Sequence, residues 1–277
     1  MHPRGLILEA ARHLEACGVE DARTDASLLL AALTGRPALS LRLDTDTEPD
    51  DALVRAFEAL TERRCAREPL QYLLGGQPFC GRTFRVTPAV LIPRPETELL
   101  CERAVERLRG CGAPAVLDLC CGSGCIAVTV ALELPGCRAE GCDLSAEALA
   151  GARENAEALG AGVVWRQGDL FAAVPGRRYD AVLSNPPYIP EGETLQEEVR
   201  REPAMALFAG ADGLAFYRRI VREAPEHLCP GGFLMMELGA GQAEAVRGML
   251  RGAGFRDIRV SRDLNGLERI IEGTRGE

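Results

Sequence analysis

The chain contains no lysine; all 32 of its basic residues are arginine. That excludes a phosphate-binding Walker lysine and a lysine Schiff base. Histidine is nearly as scarce, with only His2, His13 and His227. None of these stands in a glycine-rich turn or beside a plausible nucleophile in the sequence, so neither a His-based triad nor a His-metal centre is expected. Long apolar runs are missing: nothing is long enough to span a bilayer, and no charged-then-apolar leader opens the chain. A cytoplasmic protein with no membrane partner is expected. The chain also lacks a basic run and carries a net charge of −9, whereas a dedicated nucleic-acid binder presents a basic face. No direct nucleic-acid contact is expected. Without an export signal, the eleven cysteines are expected to be reduced, small, buried residues and not a disulfide framework.

The 277 residues, 47% apolar and 26% charged, suffice for a large domain plus a small one. The first 75 or so residues read as helices. "RGLILEAARHLEACG" repeats apolar residues at helical spacing up to Gly18, and "DASLLLAALTGRP" ends in the helix-stop pair Gly35 and Pro37. "EPDDALVRAFEALTERRCARE" has acids in its first turn and arginines in its last, which suits the helix dipole. "PLQYLLGG" reads as a short apolar turn. "PFCGRTFRVTPAVLI", residues 78–92, reads as an extended hairpin turning at Gly81.

Beyond it helices and strands alternate. Helices are expected at 96–109, 124–133, 146–159, 213–228 and 242–252. Strands are expected at 115–119, 137–143, 163–167, 179–184 and 232–238, with two more near 256–260 and 267–272. This pattern predicts an α/β fold with a mostly parallel sheet covered on both faces, whose ligands sit at the carboxyl ends of the strands. Residues 189–212 read as one long loop. No internal repeat or low-complexity tract is present.

"AVLDLCCGSGCIAV" reads as a strand, a small-residue turn and a helix start. Gly122 and Gly124 let backbone approach a ligand, with the N–H groups of the following helix aimed at it. Asp143 ends the next strand, 21 residues after Gly122, where a carboxylate can accept both ribose hydroxyls. Gly122-x-Gly124-x-x-Ala127 also satisfies a loose dinucleotide fingerprint, and an ordinary tight turn with a helix-capping aspartate fits the same residues. Asp118, on the strand before the turn, repels a pyrophosphate but can help organise a loop around a sulfonium and an ammonium. S-adenosylmethionine carries both cations and no phosphate. In "GDLF", Asp169 is placed to meet an adenine amino group and Leu170 to pack on the ring; a turn aspartate is the plainer account of Asp169.

"LSNPPYIP", residues 183–190, ends a buried strand in an asparagine, two prolines and a tyrosine. Proline cannot donate to the sheet and has a fixed φ, so the turn is rigid. "NPPY" after the fourth strand of such a sheet resembles the motif of methyltransferases acting on planar-conjugated nitrogens, among them DNA adenine-N6 and protein glutamine-N5 enzymes. The Asn185 side-chain oxygen and the Pro186 carbonyl can accept the two N–H groups of an amide or arylamine, and Tyr188 can pack on its flat face.

"QYLLGGQPF" (71–79), "LIPRPETE" (91–98), "DLCCGSG", "SNPPYIP", "EPAMALFAGADGL" and "ELG" (237–239) are similar, in this order, to the release-factor glutamine methyltransferases of the HemK/PrmC type. The resemblance runs from about residue 70 to the C-terminus. It implies a seven-stranded Rossmann-like sheet dependent on S-adenosylmethionine (SAM) over residues 95–277, a hairpin linker over 78–94 and a helical substrate-recognition bundle over 1–77. The implied reaction is N5-methylation of the glutamine in the Gly-Gly-Gln motif of class I peptide-chain release factors, by a monomer. Implied substrate contacts are Asn185, Pro186, Pro187 and Tyr188. Implied cofactor contacts are Cys120, Cys121, Gly122, Ser123, Gly124, Asp143, Asp169, Leu170 and Asn185.

The sequence departs from the family at Cys120 and Cys121, where glycine and a small residue are usual; a Cβ at 120 is tolerable if φ is negative there. The spacing of Cys120, Cys121, Cys125, Cys137 and Cys142 matches no usual zinc or iron–sulfur pattern, and no metal is expected. Arg94, Glu96 and Glu98 read as a solvated helix start, whereas the resemblance makes their segment a lid beside the cofactor. Rival readings are a nucleic-acid adenine-N6 methyltransferase, an NAD(P)-dependent oxidoreductase, for which Asp118 and NPPY have no role, and a silent binding module that keeps the fold.

Overall fold

A computed structural model describes residues 1–276, which divide into two units, Met1–Gly76 with Leu195–Arg201, and Gln77–Thr194 with Glu202 onward. The first unit holds α1 (Pro3–Ala16), α2 (Ala22–Thr34), α3 (Ala38–Leu43), α4 (Asp51–Cys65) and α5 (Leu70–Leu74). Local signals set their ends. The Gly5 N–H donates to the His2 ring (3.0 Å) ahead of α1, Gly35 closes α2 at φ 67°, and Asp50 accepts the Leu53 N–H (2.7 Å) to cap α4. The apolar faces bury Leu14, Leu29, Leu30, Leu41 and Phe57 together. Arg64, also buried, is neutralised by Asp25 (2.8 Å) and by Glu198 (2.9 Å) from the short segment that joins this unit. Helix α3 was not expected, because its six residues are too few to show a period.

One cysteine expectation is corrected here. Cys17, just past α1, and Cys65, at the end of α4, form a disulfide across 48 residues; the other nine cysteines are free. His13 lies beside the pair. The ligand-type atoms of His13, Cys17 and Cys65 fall within 4.8 Å of one another, the one such group among the described residues. Helical spacing puts His13 and Cys17 on one face of α1, but sequence separation hid the approach of α4. No described helix is long and apolar enough to cross a membrane.

The second unit opens with a hairpin, β1 (Gly76–Phe79) and β2 (Arg82–Arg85), pinned by an edge-to-face contact of Phe79 and Phe84 with centroids 5.8 Å apart. Then come α6 (Pro95–Leu108), β3 (Ala115–Leu119), α7 (Cys125–Glu133), β4 (Arg138–Asp143), α8 (Ala146–Leu159), β5 (Val163–Gln167) and β6 (Tyr179–Ser184). They are followed by α9 (Ala215–His227), β7 (Leu228–Glu237), α10 (Ala243–Gly252), β8 (Phe255–Arg262) and β9 (Glu268–Arg275). The sheet order is β5-β4-β3-β6-β7-β9-β8, parallel except for the antiparallel β7–β9 and β9–β8 pairs. This is the seven-stranded α/β sheet that the alternation predicts.

Every residue of β3 is buried, because both faces of the sheet are covered. Leu117, Leu119, Val182 and Met236 pack with Tyr217, Ile220, Val246 and Leu250 of α9 and α10. Val116, Leu183 and Met235 pack on the other side with Leu100, Ala104 and Ile126 of α6 and α7. Chain order runs outward from β3 to β5 and then returns to place β6 on the other side of β3. A crevice opens where the order reverses, beyond the carboxyl ends of β3 and β6.

Candidate active site

A cavity of about 280 Å³ lies at that point. Of the residues singled out from the sequence, Cys120, Gly122, Asp143, Asp169, Leu170, Asn185 and Pro187 line it, brought together from the ends of β3, β4, β5 and β6. Cys121, Ser123, Gly124, Pro186 and Tyr188 do not. Cys121 and Ser123 are buried beneath the turn, at 4% and 3% exposure.

The turn is held from below and from the side. Asp118, fully buried, accepts the Ala127 N–H (3.1 Å) in the first turn of α7, while its other oxygen has no partner among the described residues. Desolvation pushes its carboxyl well above the ordinary value. Asp118 therefore organises the loop from underneath and does not face the cavity. Asp143 accepts the Gly122 N–H with one oxygen and the Ser145 N–H with the other, both at 2.9 Å. Gly124 sits at φ 78°, and a Cβ there would lie 2.6 Å from the Trp165 ring, so only glycine closes the turn against β5.

The condition under which a Cβ at 120 is tolerable is not met: the φ of Cys120 is +59°, left-handed. Leu170, across the cavity, is also left-handed at φ 50°. Two non-glycine residues in this region mark stored backbone strain at the cavity. The Cys120→Gly variant is expected to be more stable by about 0.5–1 kcal/mol, strain relief less the added freedom of the unfolded chain. Thermal unfolding checks this; an unchanged or lower Tm shows that thiol packing outweighs the strain. Burial drives the thiols of Cys121 and of half-buried Cys120 well up, and that of Cys142 to about 12, so the thiolate form is disfavoured at neutral pH.

Asp169 is half committed elsewhere, since its carboxylate accepts from Arg219 of α9 at 2.8 Å on the cavity rim. The NPPY turn is clamped. The Gln242 side chain donates to the Tyr188 carbonyl (2.9 Å), and a Cβ at Gly213 would collide with that same carbonyl. Burial pushes the Tyr188 phenol up to about 12, so it stays protonated at neutral pH. Asn185 donates from Nδ2 to the Thr97 hydroxyl at 3.2 Å, while its Oδ1 is buried and unpartnered among the described residues. Thr97 in turn donates to Glu237 at 2.6 Å.

Sequence reasoning missed Thr97 and Glu237, although both lie in stretches it singled out, "RPETE" and "ELG". The acids of the first are the helix start it expected, Glu96 and Glu98 in the first turn of α6. Arg94 pairs with the buried Glu202 of "EPAMALF", which also accepts the Ile92 N–H (3.0 Å). It also missed the apolar walls of the cavity, Val90, Met205, Phe208 and Phe216, although Met205 and Phe208 lie in "EPAMALFAGADGL".

Comparison with known proteins agrees with this geometry. Residues 6–75 match the PrmC N-terminal domain family and residues 96–240 the methyltransferase small domain family. A release factor glutamine methyltransferase of Geobacter sulfurreducens is 48% identical over 262 residues, 94% of this chain and 92% of its own. One of Cereibacter sphaeroides is 47% identical over 278 residues, 98% of each chain. A methyltransferase from Pyrococcus furiosus shares the fold, with a TM-score of 0.55 at 18% identity over 70% of this chain and 89% of that one. By its sequence over nearly its whole length, the chain belongs to the release factor glutamine methyltransferase family.

Proposed function

We propose that the chain transfers a methyl group from SAM to the side-chain nitrogen of the glutamine in the Gly-Gly-Gln motif of class I release factors. The observation that carries this is Asn185, an amide tethered at one end with a buried acceptor left open at the other, on the wall of a cavity built for a nucleoside.

The residues present suit SAM. The two Asp143 oxygens each accept one backbone N–H and each has a lone pair left for a ribose hydroxyl. Leu170, Val90 and Phe216 give an apolar slot for a base. A pyrophosphate finds little: there is no lysine in the chain, and Arg219 is already paired with Asp169. Gly122, Cys120, Asp143, Asp169 and Leu170 would hold the cofactor by side chain or exposed backbone, and Cys121, Ser123 and Gly124 by shaping the turn beneath it. Bound there, SAM supplies an electrophilic methyl group.

An amide nitrogen is a poor nucleophile because its lone pair is delocalised. Asn185 Oδ1 and the Pro186 carbonyl accept the two N–H groups of the substrate amide and stabilise the positive charge that grows on nitrogen. Pro187 stiffens the turn. Tyr188, outside the cofactor cavity, packs on the amide plane and holds it in line. Residues 1–77 serve as the substrate-recognition domain, 78–94 as the hairpin linker and 95–277 as the methyltransferase domain, since one side chain offers too little area for specificity. The enzyme works as a monomer in the cytoplasm on a protein partner, without engaging nucleic acid or membrane.

Mass spectrometry of a purified class I release factor after incubation with the chain and SAM is expected to show one added methyl on that glutamine. None is expected on a Gly-Gly-Gln→Gly-Gly-Ala variant or on adenine-containing DNA. Methylated DNA, or an alanine variant methylated as well as the parent, overturns the reading.

A further inference from the structure

We propose that Thr97 and Glu237 are positioning residues for Asn185, fixing its amide with Nδ2 turned inward and Oδ1 toward the substrate. The inference rests on the reading of Asn185 as the acceptor for the substrate amide, and names what orients it.

The two ends of an asparagine amide are nearly the same shape and opposite in polarity. If Asn185 were turned over, an N–H would face the substrate N–H groups and acceptance would become repulsion. Something must choose, and the chain of hydrogen bonds does so. Glu237, 1% exposed at the end of β7, can only accept while ionised. The Thr97 hydroxyl has one hydrogen, and at 2.6 Å from Glu237 Oε2 it is committed there. Thr97 Oγ1 can therefore only accept from Asn185, 3.2 Å away, which demands that Nδ2 be the end facing it. Oδ1 is left over, buried and unpartnered among the described residues. An orphaned buried acceptor is costly, and in a site that receives an amide N–H that cost is recovered on substrate binding. Thr97 itself is 2% exposed and packed in the first turn of α6, so the arrangement has little room to rotate.

The polarity of the relay depends on the charge of Glu237. Burial raises its carboxyl to about 7, and the Thr97 hydrogen bond opposes that rise. The charged and titratable groups acting on it are Glu96 and Arg94 at the start of α6 and Arg269 of β9; Tyr188 and Cys125 feel its charge in turn. Tyr217 of α9 donates to its backbone carbonyl (2.9 Å). Once protonated, Glu237 can donate to Thr97, whose hydrogen is then free to turn toward Asn185 and favour the wrong face of the amide. Turnover is thus expected to fall as pH drops through about 7.

The test combines kinetics with NMR on the full chain. Thr97→Val and Glu237→Gln are expected to lower kcat for release factor methylation roughly 10- to 100-fold, less than loss of the direct contact. S-adenosylhomocysteine affinity should stay near wild type in both variants. Thr97→Val should lower Tm because it leaves buried Glu237 and the Asn185 amide without their shared partner, and Thr97→Ser should restore most of the rate. The decline of kcat below about pH 7 should vanish in Glu237→Gln. The side-chain amide signal of Asn185, assigned by its loss in Asn185→Asp, should follow a titration near pH 7 in the wild type and stay still in Glu237→Gln. Should Thr97→Val not fold, Glu237→Gln carries the same test. A wild type that methylates nothing would remove the proposed function, while the amide titration still decides the relay. Wild-type kcat in both variants, or an amide signal that titrates alike with and without Glu237, overturns it.

Discussion

Asn185→Ala is expected to lower kcat for release factor methylation roughly 10²- to 10³-fold, the loss that follows removal of one acceptor aimed at developing charge. The affinity for SAM should change only modestly, because Asn185 is one residue in a wall to which β3, β4 and β5 also contribute. Stability should drop by only about 1 kcal/mol, since the truncation removes one hydrogen bond to Thr97 and leaves the Thr97–Glu237 bond in place. Steady-state kinetics, calorimetry with S-adenosylhomocysteine and thermal unfolding separate the three effects. A variant that keeps near-wild-type kcat removes Asn185 from the chemistry. A variant that loses rate and cofactor together makes it a cofactor contact only.

The difference between what the sequence discloses and what it hides follows the distance over which each feature is determined. The strands 115–119, 163–167 and 179–184 coincide with β3, β5 and β6, because strand periodicity and flanking glycines and prolines are local signals. The cavity residues at the strand ends are legible for the same reason, as each follows its strand directly. Four features are not local. The left-handed φ of Cys120 is imposed by closing a turn between a buried strand and α7, and nothing in "LCCGSG" shows which side chain takes that conformation. The Cys17–Cys65 bond spans 48 residues, and Arg219 reaches Asp169 from 50 residues away. Thr97 and Glu237 lie 140 residues apart. In sequence each is a hydroxyl or an acid in an unexceptional helix start or strand end; only the stacking of α6 against β7 makes them a pair. The proposal that Asn185 is an acceptor came from "NPPY", while the hydrogen bonds that tie Asn185 to Thr97 and Thr97 to Glu237 needed the fold.

Asp143→Ala is expected to weaken SAM binding by about 1.5–3 kcal/mol, roughly 10- to 150-fold in Kd, the value of charge-assisted hydrogen bonds to a pair of hydroxyls. The carboxylate has two tasks here, and they need to be told apart. It holds the turn, accepting the Gly122 and Ser145 N–H groups at 2.9 Å each, and it lines the cavity with the lone pairs those bonds leave open. Losing the first task alone would loosen the turn and lower Tm without discriminating among nucleosides. Losing the second removes the preference for a ribose. The discriminating measurement is calorimetry with S-adenosylhomocysteine and with its 2′-deoxy and 3′-deoxy analogues, on wild type and on Asp143→Ala. In the wild type each missing hydroxyl should cost affinity; in the variant the three ligands should bind nearly alike, because the group that tells them apart is gone. NAD should bind neither protein comparably, since its pyrophosphate would meet a turn with no lysine and an arginine already engaged by Asp169. Undiminished SAM affinity in Asp143→Ala, or tight NAD binding by the wild type, would reassign the cavity.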